Sequence, residues 1–283
     1  MNLISVKDFT REKVIYYIQK ADMVTNTQSN KTLINLFYEP STRTSCSFHT
    51  AMLKLGGHVI EITDNSSAKK GESLEDTIKT VSNYGDIIVL RHPEKGAAER
   101  AAKVATIPVI NAGDGNGEHP TQALLDIYTI YKELKKDILK QQITVTFLGD
   151  LKNSRTIHSL IHLLNLFDVN YIFISPPGLE LDISGNINAT LEEALKISDV
   201  IYVTRIQKER EGKTYEPICL SIQLLSTANP DLIIMHPLPR QEELPTEIDD
   251  DPRAVYFKQV AYGVKMRMAI LDNVLDYKIE NKI

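Results

Sequence analysis

Short apolar runs alternate with amphipathic stretches along the whole chain, and this alternation restricts the fold more than any other feature. TLINLFY (32–38), HVIEIT (58–63), DIIVLR (86–91) and IPVINA (107–112) read as strands, with helical spacing over 41–55, 74–84 and 97–105 between them. In the helix over 41–55, Phe48, Met52 and Leu55 share a face, and Gly56-Gly57 ends it. Strands that take turns with helices predict a mostly parallel sheet covered by helices. The pattern resumes with QITVTFLGD (142–150), NYIFIS (170–175), DVIYVT (199–204) and DLIIMHPLP (231–239), with helices over 154–167, 189–198 and 260–277. Residues 6–22 predict a leading helix with Asp8 as its cap. The fold class is therefore α/β, with two domains, each a mostly parallel sheet flanked by helices. At 283 residues the chain can supply two separate cores. The boundary is placed near residue 133, at the charged end of the helix that GDGNGEHPTQALLDIYTIYKELKKD feeds, so the domains are expected over 1–133 and 134–265. No internal sequence repeat or low-complexity linker interrupts this layout.

Composition narrows the function by exclusion. The formal net charge is -5, from 32 Lys and Arg against 37 Asp and Glu, which gives no sign of a broad nucleic-acid surface. Cys46 and Cys219 stand alone, far from any metal-ligand spacing or disulfide framework. MNLISVKDFTREKV has no signal-peptide core, and no later run reaches membrane-spanning length, so a cytoplasmic location is expected. No Gly-Lys-Ser/Thr phosphate loop or dinucleotide glycine pattern is present.

In parallel sheets, ligands sit beyond the carboxyl ends of the strands. The unusual polar residues of this chain lie just there. Strand 32–38 leads to Ser41, Thr42, Arg43 and Thr44; strand 86–91 ends on Arg91-His92-Pro93; strand 107–112 leads to His119-Pro120-Thr121-Gln122. Strand 142–148 leads into GDLKNSRT, strand 199–204 to Arg205, and the strand at 231–235 to HPLPR.

Each feature has a plainer reading beside the functional one. STRT at a helix start offers free N–H groups, hydroxyls and a guanidinium fork to an anion. Equally, Ser41 or Thr42 is an ordinary cap and Arg43 a solvated charge. His119 and Gln122, three apart at a helix start, can reach a common point, although a lone histidine is often only a loop hydrogen-bonder. Lys70 suits a lid over an anion, whereas Lys69 reads as solvated. Asp126 lies in a periodic helix and reads as structural, as do His158 and His162. No carboxylate pair and no activated nucleophile accompanies these donors. The set suits a phosphorylated, carbonyl-bearing substrate and a second anion, with chemistry by positioning and oxyanion stabilisation.

FYEPSTRTSCSF, SSAKKGESLEDT, VLRHP, GDGNGEHPTQALLDIYTI, FLGDLKNSRTIHSL, YVTRIQKER, MHPLPR and GVKMRMAIL resemble, in family order, the catalytic chains of the aspartate carbamoyltransferase family. The segments run from about residue 33 to 271, and several are long and unusual. The resemblance implies a carbamoyl phosphate domain, then an aspartate domain, with the C-terminal helix (266–283) returning to the first. It implies that Ser41, Thr42, Arg43, Thr44, Arg91, His119, Gln122 and the backbone of Leu238 and Pro239 bind carbamoyl phosphate. Arg43, Thr44, Arg91 and His119 are its catalytic groups. Lys70, Arg155, Arg205 and Gln207 are implied to bind aspartate, Ser66 and Lys70 to be inserted from a neighbouring subunit, and Glu39 and Arg210 to act in domain closure. A homotrimer without cofactor or catalytic metal is implied, and some members add zinc-containing regulatory chains. Ornithine carbamoyltransferase is the alternative, but that family has HCLP where this chain has HPLP and binds a cationic amino acid, which Arg155 and Arg205 do not suit. An inert assembly scaffold is the non-enzymatic alternative; it would have lost site residues, and each is present.

Overall fold

A computed structural model of the chain describes residues 1–26, 29–63, 71–181, 183, 187–207 and 215–280. The chain divides into two compact units, Met1–Leu125 with Val260–Ile283, and Asp126–Gln259.

The first unit opens with a 3-10 turn, Val6–Asp8, followed by α1 (Arg11–Met23). Asp8 does not cap that helix. Phe9 is extended and buried, which breaks the turn, and Thr10 takes the cap position, its hydroxyl accepting from the Lys13 N–H at 3.3 Å. Then come β1 (Thr32–Phe37), α2 (Thr42–Lys54), β2 (His58–Thr63), α3 (Leu74–Val81), β3 (Ile87–His92), α4 (Ala97–Val104), β4 (Val109–Asp114) and α5 (Pro120–Glu133). The four strands form one parallel sheet in the order β2-β1-β3-β4. Ile34, Leu36, Ile88, Leu90 and Val109 bury one sheet face against Ile78, Val81 and Ala101 of α3 and α4. Each Ile, Leu or Val among them contributes ~1.5–3 kcal/mol on leaving water.

The second unit repeats the arrangement. β5 (Ile143–Gly149), α6 (Arg155–Leu164), β6 (Val169–Ile174), α7 (Leu191–Ile197), β7 (Val200–Thr204), the short α8 (Ile222–Leu225) and β8 (Ile233–Met235) follow in turn. Their sheet is parallel in the order β6-β5-β7-β8. Its core joins Leu148, Ile201, Val203 and Ile234 to Leu195, Leu225, Leu232, Leu244 and Tyr256. A capping box of Thr190 and Glu193 starts α7. The two sheets thus share one topology with no sequence repeat behind it. Burial pattern and strand order recur, while the side chains that fill each core differ.

The last helix, α9 (Tyr256–Glu280), begins four residues before the expected 260, with Tyr256 buried in the second core. From Val260 onward it belongs to the first unit, where the Arg267 guanidinium donates to Ser47 Oγ of α2 at 2.9 Å and lies over the Phe48 ring. Asn273 donates to the Tyr17 hydroxyl of α1 at 2.9 Å, and Lys20 pairs with Asp272 at 2.9 Å. The division between the units falls inside α5 and α9. At α5, Asp126 is bonded to Tyr202 and Gln259, both in the second unit.

Candidate active site

Strand order places the first group of site residues. β1 is followed by β2 on one side and β3 on the other, so the chain changes direction between β1 and β3, and ligands bind at such a switch beyond the strand carboxyl ends. β1 delivers Glu39 and the start of α2 there, β3 delivers Arg91, and β4 feeds the loop to His119.

Ser41 holds the N-cap position of α2 by backbone geometry, but its side chain makes no capping hydrogen bond. The hydroxyl is not consumed in the way the plain reading of STRT requires. Thr42 and Arg43 are exposed and Thr44 is buried, all three within the first turn, where N–H groups and the helix dipole favour an anion. Tyr38 N–H donates to the Arg91 carbonyl at 2.9 Å, which ties the exits of β1 and β3 together. The Arg91 side chain is only 11% exposed, and one of its terminal nitrogens pairs with Glu39 at 2.5 Å. Its Nε–H is buried without a hydrogen-bond partner among the described residues. A buried orphan donor on a cation costs stability unless a ligand satisfies it. His119 is 4% exposed and stands immediately before α5, its carbonyl accepting from the N–H groups of Gln122 and Ala123. Thr121 Oγ1 lies 3.5 Å from His119 Nδ1.

Glu39 pairs with Arg91. The attraction is local, since register sets Phe37 opposite Arg91 and leaves Glu39 two residues further on. Ser66, Lys70 and Arg210 lie outside the described residues.

The second unit builds its group at the equivalent switch, between β5 and β7. Gly149 has φ +117, and a Cβ there would meet the Thr204 carbonyl oxygen at 2.0 Å, so only glycine lets the two strand exits approach. Asp150 follows, fully buried. Its carboxylate accepts from the N–H of Asn153 at 3.0 Å and of Gln207 at 3.1 Å. Gln207 Nε2 donates in turn to the Asn153 carbonyl at 3.0 Å. One carboxylate therefore fixes the turn that starts α6, with Arg155 as its first residue, and the segment Arg205–Gln207 after β7. Arg155 is 7% exposed, and Arg205 is half-buried with Nη1 donating to the Ile206 carbonyl at 3.3 Å.

β8 runs into His236, and Leu238 takes a left-handed conformation (φ 50) at a cis bond to Pro239. His236 is buried: its Nδ1 accepts from the Leu238 N–H at 2.8 Å and its Nε2 donates to Glu243 at 3.0 Å, so the ring carries its proton on Nε2. Burial alone would raise the Glu243 carboxyl; the hydrogen bonds from His236 and the Gln241 N–H outweigh it and hold the group below its usual range. Asp150 and Glu243 support the turn before Arg155 and the ring of His236, and sequence carries no signal for them beyond their place in GDLKNSRT and just after HPLPR. Asp126 is held in the core by Tyr202 and Gln259. His158 is structural, as expected, its Nε2 bonded to the Leu151 carbonyl at 2.8 Å. Among the described residues, no group of three or more His, Cys, Asp or Glu side chains is arranged for a metal ion, and no helix is long and apolar enough to cross a membrane.

Among the described residues, cations and amide donors gather at the switch of each parallel α/β unit, an arrangement that suits anionic substrates. The family profile described as "Aspartate/ornithine carbamoyltransferase, carbamoyl-P binding domain" matches residues 1–132, and "Aspartate/ornithine carbamoyltransferase, Asp/Orn binding domain" matches 141–274. The chain is 47% identical to the aspartate carbamoyltransferase catalytic subunit of Archaeoglobus fulgidus, across 97% of this chain and 99% of that one. It is 45% identical to the catalytic subunit of Methanocaldococcus jannaschii, across 97% and 98%. Among solved structures, the M. jannaschii catalytic subunit superposes with a TM-score of 0.88 at 42% identity, over 97% of this chain and 98% of that one. The Trypanosoma cruzi aspartate transcarbamoylase, in complex with carbamoyl aspartate and phosphate, gives 0.87 at 40% identity, over 95% and 94%. The chain belongs to the aspartate/ornithine carbamoyltransferase family, as a relative of the aspartate carbamoyltransferase catalytic subunits.

Proposed function

We propose that the chain transfers the carbamoyl group of carbamoyl phosphate to the amine of L-aspartate, giving N-carbamoyl-L-aspartate and phosphate. The observation that carries this reading is the near-complete kinship with aspartate carbamoyltransferase catalytic subunits, in a chain whose second-unit cluster is cationic. An ornithine side chain would need a carboxylate there; Arg155 and Arg205 suit the two carboxylates of aspartate, with Gln207 beside Arg205.

Ser41, Thr42, Arg43 and Thr44 hold the phosphate with the N–H groups of α2. Arg91 joins them through its unsatisfied Nε–H, giving up Glu39 as the anion arrives. His119, Thr44 and Arg43 donate to the carbonyl oxygen, and Gln122 with the backbone of Leu238 and Pro239 holds the carbamoyl amide. The uncharged aspartate amine attacks the carbonyl carbon and a C–N bond forms. Negative charge builds on the oxygen, where the donors stabilise it. The C–O bond to phosphate then breaks, and the departing phosphate takes the amine proton. A leaving group that serves as its own base makes a dedicated carboxylate unnecessary.

The same reading includes a homotrimer in the cytoplasm serving pyrimidine biosynthesis, with Ser66 and Lys70 reaching the site of a neighbouring subunit. Glu39 and Arg210 act in closure, and the trimer is able to join zinc-containing regulatory chains.

A compound that links a phosphonate to aspartate tests the reading by affinity. N-(phosphonacetyl)-L-aspartate is expected to bind at least about 10²-fold tighter than inorganic phosphate, because the second anionic half then binds intramolecularly. Calorimetry in which it binds no tighter than phosphate contradicts a site for both substrates.

A further inference from the structure

A buried hydrogen-bond chain runs through the second unit and ends on the Leu238 N–H. It starts at the hydroxyl of Tyr202, which donates to Asp126 Oδ2 at 2.9 Å. The other Asp126 oxygen accepts from Gln259 Nε2 at 2.6 Å. The Gln259 carbonyl accepts the N–H of His236 at 3.1 Å, and His236 Nδ1 accepts the N–H of Leu238. Glu243 closes the far end, accepting from His236 and from the Gln241 N–H. Tyr202 and Asp126 are fully buried, and Gln259, His236 and Glu243 are at most 3% exposed.

Two facts distinguish this chain from incidental core polarity. Each member fixes the next one's orientation: Gln259 must turn its amide nitrogen to Asp126 because its oxygen faces a peptide N–H, and His236 must leave Nδ1 bare to accept from Leu238. In addition, Leu238 sits at φ 50, a conformation a branched side chain adopts only when its surroundings hold it there.

We propose that Asp126, Tyr202, Gln259 and Glu243 are positioning residues that, acting through His236, hold the Leu238–Pro239 backbone in the conformation that receives the carbamoyl amide. The inference rests on the proposed carbamoyl transfer. None of the four touches substrate; they act by removing conformations in which the backbone carbonyls face elsewhere. A network whose links are all made is rigid in the low-dielectric interior, and one broken link leaves its neighbours unsatisfied.

The test uses the full-length protein and three substitutions. Gln259→Leu and Glu243→Leu keep bulk and lose acceptors on which the chain depends; Glu243→Gln keeps an amide oxygen to accept from His236. We expect the two leucine variants to lower kcat per folded chain by about tenfold or more, and Glu243→Gln to restore it to within about threefold of the unmodified protein. Dissociation of inorganic phosphate is expected to stay within about twofold throughout, because its ligands lie in the first unit. Should the leucine variants fold poorly, Tyr202→Phe, which removes one hydroxyl, decides instead: its kcat falls about threefold to tenfold. Activity that follows only the folded fraction, with unchanged kcat per folded chain, overturns the positioning role and leaves carbamoyl transfer standing. Absence of carbamoyl aspartate from the unmodified protein overturns both.

Discussion

Replacing Arg43 by alanine is expected to abolish measurable carbamoyl transfer while leaving the fold and assembly intact. Arg43 lies in the first turn of α2 and its side chain is exposed, so its loss creates no core cavity. A surface substitution of this kind typically changes stability by no more than ~0.5 kcal/mol. Its chemical task is different. The carbonyl oxygen gains charge only as the amine adds, so a donor aimed at it acts more strongly in the transition state than on bound substrate. Removing one such donor lowers turnover by about 10²–10³-fold, and Arg43 also serves the phosphate, which adds to the loss. Steady-state phosphate release, read alongside thermal unfolding and sedimentation, checks both halves. A near-normal rate, or an unfolded protein, is incompatible with the role assigned to it.

The second large effect falls on the other substrate. Arg205→Ala is expected to raise KM for aspartate by about 10²-fold or more, with saturation by carbamoyl phosphate nearly unchanged. A hydrogen bond to a charged group contributes ~1.5–3 kcal/mol, and a guanidinium can make two such bonds to one carboxylate. Each 1.4 kcal/mol is tenfold in affinity. Asp150 holds the backbone N–H of Gln207, so the segment keeps its course when the Arg205 side chain is removed. Because the aspartate carboxylates keep their charge through the reaction, kcat changes less than KM. Equal losses for both substrates would mean that Arg205 does not select the amino acid.

The strand exits of this chain were legible before any coordinates, because period and position carry them. An apolar run of six residues followed by STRT, RHP or EHPTQ announces a buried parallel strand and what lies beyond it. The same periodicity predicts the α/β class and the helices over 41–55 and 97–105, which appear as Thr42–Lys54 and Ala97–Val104. It does not carry pairing. Nothing local to Glu39 shows that Arg91 is its partner, since that contact depends on the register of β1 against β3. Asp126 illustrates the same limit: its neighbours Leu125 and Ile127 mark it as a helix residue, while its partners Tyr202 and Gln259 lie far along the chain. The leading helix failed for a local reason. Asp8 and Thr10 are both good caps, and the choice fell to Thr10 because Phe9 enters the core with an extended backbone. The shared topology of the two sheets was equally hidden, because strand order is a property of the crossover connections and leaves no repeat in the side chains.

Product identity tests the central claim most directly. The purified chain is given carbon-labelled carbamoyl phosphate with equal concentrations of aspartate and ornithine in one mixture, and the labelled product is identified by mass spectrometry or carbon NMR. Labelled N-carbamoyl-L-aspartate, appearing together with phosphate and absent when aspartate is withheld, is the predicted result. Label found in carbamoyl ornithine instead, or no labelled amino acid at all, would contradict the account.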